Sequence, residues 1–169
     1  MKKLNYRTLI FGLLILPFLS SPQGASKHAP LRQDTLLLSK GFIKDTIALQ
    51  VMKIHIYRDS LGSAVVERKI KIILSGNSYQ CPIPDPEAVK NFSVSAFTIR
   101  GNDLAIHCSW GGGKHLYSNV FHFSYKKNNL LLKKVEKQSY GPNMPAKKQN
   151  LILRRPIPFE QFSFLNYLD

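Results

Sequence analysis

The chain is short of acid. Asp and Glu total 10 of 169 residues against 24 Lys and Arg, for a net charge of +14. Glycoside hydrolysis needs two carboxylates about 5–9 Å apart. Asp85, Glu87 and Asp103 all fall in or beside predicted turns, so nothing marks such a pair. Cysteine is equally scarce, with only Cys81 and Cys108. Long apolar runs are limited to one, Leu9 to Leu19, and helical periodicity is rare. No repeat of solenoid length and no low-complexity tract is present.

What the chain does have begins at its N-terminus. Lys2, Lys3 and Arg7 precede the apolar run, and small or polar residues follow it to Ser26. The run is shorter than the ~20 residues that span a bilayer and contains Pro17, so it reads as a cleavable secretory signal over residues 1–26. Gly24 and Ser26 supply the small side chains expected before the cut. Residues 27–169 then form one domain, large enough for a real core. The mature protein is expected to be exported, to the periplasm or beyond. In that setting its positive charge points to an envelope protein or an anionic envelope polymer, and away from nucleic acid. Membrane contact is confined to the signal segment before cleavage. The same oxidising setting predicts a Cys81–Cys108 disulfide, closing a loop of about 27 residues for about 3 kcal/mol. Two buried thiols on different strands are the competing arrangement.

Period-two alternation dominates the mature part. Residues 46–59 are β-rich, with Ile47, Leu49 and Val51 on one face and Met52, Ile54 and Ile56 at the other parity. That requires a strand buried on both sides, or bulged. In the next strand Val66, Ile70, Ile72 and Leu74 oppose Glu67, Lys69 and Lys71. Pro82, Pro84 and Pro86 turn residues 75–91 into an extended loop. A hairpin follows around "RGND", then strands over "LAIHCSW", "LYSNVFHFSY" and "LLLKKVEKQSY", joined at "GGGK" and "KKNN". Leu104, Ile106 and Cys108 share a face, and Tyr117, Phe121, Phe123 and Tyr125 share another. "GPNMPAKKQN" reads as a loop, "LILRR" as a last strand, and "PFEQFSFLNYL" as a short helix or extended segment docking Phe159, Phe162 and Leu165. The fold class is therefore all-β, a mainly antiparallel sandwich or curled sheet with a short C-terminal helix or extended segment.

Three stretches also carry a resemblance. "FIKDTIALQ" resembles a worn-down loop and strand of FG-GAP or VCBS-like modules. The strand series from "SVSAFTIRGND" to "LLLKKVE" and the closing "LILRRPIPFEQF" are similar to elements of small exported bacterial all-β proteins with such a segment. The resemblance implies an all-β domain in the cell envelope and supplies no activity. In FG-GAP-type loops several carboxylates hold Ca²⁺. Here Lys40 and Lys44 stand beside the lone Asp45, which removes that site.

Candidate chemistry is thin. Cys108 and His107 are adjacent in a strand, so they point to opposite faces and cannot form a nucleophile–base pair. His107 and His122 share a face of neighbouring strands, close enough to share a metal, and His55 could join them through the fold. Zinc needs three or four ligands, and none beyond the pair is fixed by the sequence. No cofactor, metal or catalytic residue is expected. The candidate binding residues are Trp110, His115 and Tyr117, grouped around the glycine turn, where an aromatic face can stack on a sugar or fill a partner's pocket. The bland alternative is a turn whose aromatics pack on their own sheet. The expected function is a non-enzymatic binding or protein-interaction module of the envelope. The alternative is a periplasmic inhibitor or immunity protein acting on a toxin or hydrolase.

Overall fold

The computed structural model describes residues 32–43, 46–142 and 144–168. Residues 1–26, where the secretory signal is expected, and Lys44–Asp45 lie outside the described residues. Those that are described form two antiparallel meanders. The first sheet has the order β1 (Arg32–Ile43), β2 (Thr46–Arg58), β3 (Ala64–Leu74), β4 (Asn77–Pro82). The second has the order β5 (Ser93–Arg100), β6 (Asp103–Gly112), β7 (His115–Lys126), β8 (Asn129–Gly141), β9 (Met144–Pro158). The all-β expectation holds.

Turn chemistry explains much of the register. Ser75 and Gly76 both have positive φ, as do Lys127 and Asn128. Two successive left-handed residues are the signature of the tight hairpin turn whose twist matches that of the strands. Leu74 accordingly pairs with Asn77, and Lys126 with Asn129.

Between the sheets lies one core. Ile70, Ile72, Leu74, Tyr79 and Cys81 face it from the first sheet, and Leu104, Ile106, Cys108, Phe121 and Phe123 from the second. The parities read from sequence are those observed. Both faces of β2 carry buried residues: Ala48 and Gln50 on one, Val51 on the other. The bulge in this ladder falls on β1, between Leu37 and Ser39, and not on β2.

Two loop expectations are corrected, one strand is added, and the short C-terminal helical segment takes a definite form. The strand over Arg32–Ile43 was not anticipated. Residues 77–82 form a strand where three prolines suggested only a loop. Pro82 is tolerated because it ends an edge strand, where its missing donor breaks no ladder. The supposed loop before "LILRR" belongs to β9, which begins at Met144 and runs through Pro145 on the sheet edge. The C-terminal helix is two 3-10 turns, Phe159–Gln161 and Phe164–Tyr167. They bury Phe159, Phe164 and Tyr167, with Phe162 between them, while Leu165 stays 55% exposed. Phe162 meets Phe121 at 5.0 Å and Phe164 at 4.9 Å between ring centroids. Phe123 meets Phe159 at 5.1 Å. The chain end is thus an aromatic plug seated on β7.

The expected disulfide is also absent: Cys81 and Cys108 are free and buried. Cys81 belongs to β4 and Cys108 to β6, in different sheets. Each thiol packs into the shared core as a small apolar group. The Cys81 Sγ instead reaches the carbonyl of Phe162, at 3.7 Å, in the plug. Burial pushes both thiols up to about 12.

Candidate functional site

Residues opposite one another in an antiparallel ladder share a face. On the inner face of the second sheet the pairings therefore define rows. Leu104, Phe123, Leu132 and Ile157 make one, and Ile106, Phe121, Val135 and Leu151 the next. The third row is Cys108, Asn119, Lys137 and Gln149, and the fourth is Trp110, Tyr117, Ser139 and Lys147. The composition turns from apolar to polar along the same strands.

Asn119 marks the boundary. It is 1% exposed, and its Nδ2 donates to the Tyr167 carbonyl at 3.0 Å, where the plug ends. Its Oδ1 is buried without a hydrogen-bond partner among the described residues. Beyond it two hollows open. One, of about 240 Å³, is bordered by Trp110, Tyr117, Asn119, Ser139, Lys147 and Gln149 among others. The second, about 280 Å³, is bordered by His115, Tyr117, Ser139, Tyr140, Pro145 and Lys147. Tyr117, Ser139 and Lys147 belong to both, so the hollows adjoin.

The three candidate residues are therefore brought to one end of the sheet, with unequal roles. Trp110 packs against the core and stacks on Tyr117, with centroids 5.5 Å apart and planes 14° from parallel. Tyr117 borders both inner hollows and a third of about 330 Å³ with Leu116 and Tyr140. Trp110 is the support and Tyr117 the presented ring. His115, exposed and paired with Gly112, sits at the rim.

The glycine run makes this geometry. Gly113 has φ +62° and begins the two-residue turn between Gly112 and His115. Gly111 has φ +104°, and a Cβ there would lie 2.5 Å from the His115 carbonyl oxygen and 3.2 Å from the Tyr117 ring. The hairpin is tied to the preceding loop, since Gly111 N donates to Lys90 O at 2.9 Å and Asn91 Nδ2 donates to Gly111 O at 2.8 Å. The turn is both a hairpin connection and a rigid mount.

No family model, curated protein or solved structure matches the chain.

The outer face of the same sheet holds a different hollow, of about 390 Å³, bordered by Thr98, Arg100, Asp103, His107, His122 and Glu136 among others. His107 Nε2 lies 3.2 Å from Thr98 Oγ1, and His122 Nε2 lies 3.1 Å from Glu136 Oε1. Lys134 Nζ donates to the same oxygen at 2.6 Å, and this hydrogen bond, followed by the nearby His122, holds the Glu136 carboxyl below its usual range. Each histidine thus has its own protein neighbour. Among the described residues no group of three or more His, Cys, Asp or Glu side chains is arranged to hold a metal ion. Cys108 points into the core and His107 away from it, as strand alternation requires.

Sequence reasoning found the two aromatics and missed what completes the surface. Asn119, Ser139, Lys147 and Gln149 carry no motif. Their only signal is the alternation Lys147, Gln149, Leu151, Leu153, which appears once β9 is extended back to Met144.

Proposed function

We propose that the chain is an exported, non-enzymatic binding module of the cell envelope, and that it binds through the inner face of β6 to β9 beyond Asn119. The observation that carries this reading is the half-buried Trp110–Tyr117 stack held beside adjoining hollows at the edge of the core. Aromatic rings at the margin of a core, next to polar side chains, combine a large apolar contact with orienting hydrogen bonds. The N-terminal segment supports the export part of the reading, and the basic composition supports an anionic envelope partner.

The test is co-sedimentation of the mature chain with envelope fragments from its own cell. Tyr117→Ala should abolish binding while leaving the protein folded. Undiminished binding by that variant would overturn the reading.

The exposed Gly113–Lys114 tip favours a second reading. A protruding hairpin, fixed at its base by Lys90 and Asn91, suits insertion into the cleft of a toxin or hydrolase, as an inhibitor or immunity protein would. Under that reading one stoichiometric protein complex forms, and it is lost when Lys114 is replaced and kept in Tyr117→Ala.

A further inference from the structure

The chemistry of the third and fourth rows narrows the ligand class, given the binding reading above. Tyr117 presents an aromatic face beside Ser139, whose hydroxyl both donates and accepts, and Gln149, whose amide does the same. Lys147 brings a positive charge to both hollows. A purely apolar ligand covering Ser139, Gln149 and Lys147 would leave them unpaired, and burying them so is costly. A neutral flat ring would use Tyr117 and waste the Lys147 ammonium group. A pyranose uses all of them: its C–H face stacks on the tyrosine, its hydroxyls meet Ser139 and Gln149, and an acidic substituent meets Lys147.

We infer that the trough between Tyr117 and Lys147 is a subsite for a sugar ring carrying a carboxylate or phosphate. Face alternation gives the site its own control. Lys147 lies on the inner face, while its neighbour Lys148 pairs with Gln138 and points to the other side. The two substitutions remove the same charge from the chain and differ only in the face they alter.

Trp110 is the chain's single tryptophan and lies in the stack, so its emission reports on the site directly. The experiment titrates the mature chain with trigalacturonate, glucose 6-phosphate and neutral maltotriose, following tryptophan emission at low and high salt. A saturable change is expected with at least one acidic sugar, and the responding probe identifies carboxylate or phosphate as the recognised group. Maltotriose should bind at least about tenfold more weakly, the scale of one hydrogen bond to a charged group. Lys147→Gln should weaken binding by about tenfold and reduce its salt dependence, with Lys148→Gln within about twofold of wild type. Both lysines are exposed on an edge strand, so folding is not at issue. Equal losses in the two variants would overturn the inference in favour of a net-charge effect. Equal binding of maltotriose, or no response to either acidic sugar, would also overturn it. If Tyr117→Ala still abolishes envelope binding in those cases, the platform stands with a different occupant, such as a protein. If it does not, the platform reading falls too.

Discussion

The two halves of the inner face of β6 to β9 are built from the same strands and serve opposite ends. Up to Phe121 each row is covered by the four-stranded sheet and the aromatic plug. From the Asn119 row onward the side chains are amides, lysines, a serine and the Trp110–Tyr117 stack, and the plug ends at Asn119. A sandwich needs its inner face apolar only as far as a second layer covers it. Side chains beyond that limit contribute little to the core, which leaves them free to recognise a ligand.

That comparison can be broken most sharply at the boundary row. Both thiols should resist Ellman's reagent in the native protein, at least about a thousandfold relative to the unfolded chain. Two thiols should be released on denaturation. Because burial raises the folded-state values to about 12 from an ordinary 9, the protonated thiols favour the fold below pH 9. That contribution fades as the pH climbs from 9 towards 12. Rapid labelling of Cys108 would mean that the plug does not seal the row it shares with Asn119. No thiol at all would mean a disulfide and a different core.

Next in size is the contrast between two aromatics four residues apart on β7. Phe121→Ala should cost about 3–5 kcal/mol in denaturant unfolding, since Phe121 is fully buried against Phe162, Phe164 and Tyr167. Tyr117→Ala should cost only about 0.5–1.5 kcal/mol, the scale of one aromatic pair. Equal costs would erase the distinction between core and platform. Between these lies Gly111→Ala, expected to cost about 1–3 kcal/mol, with the Trp110 emission shifted as the hairpin end yields. An unchanged spectrum there would mean that the glycine does not position the stack.

How much of this was legible in the sequence depends on the kind of signal. The meander from β5 to β8 is written in alternation and in local turns, "RGND", "GGGK" and "KKNN", each fixed by residues within a few positions. The core faces of Leu104, Ile106, Cys108, Phe121 and Phe123 follow from the same alternation. Prolines misled the reading twice, at Pro82 and Pro145, because their tolerance depends on whether a strand is at a sheet edge, and edges are set by topology. The cysteine pairing failed for the same reason. The oxidising surroundings expected from the N-terminal segment favour a bridge, and only the packing of β4 and β6 shows each thiol buried and unbonded. Trp110 and Tyr117 were visible as aromatics near a turn. Their direct opposition, and the row they share with Ser139 and Lys147, required the register of four strands.

Hydrogen exchange of residues 27–169, alone and mixed with envelope fragments, tests the central claim most directly. The account predicts new protection in residues 109–118 and 138–149, with residues 64–82 of the other sheet unchanged. Protection confined to the four-stranded sheet, with the platform unaffected, would contradict it.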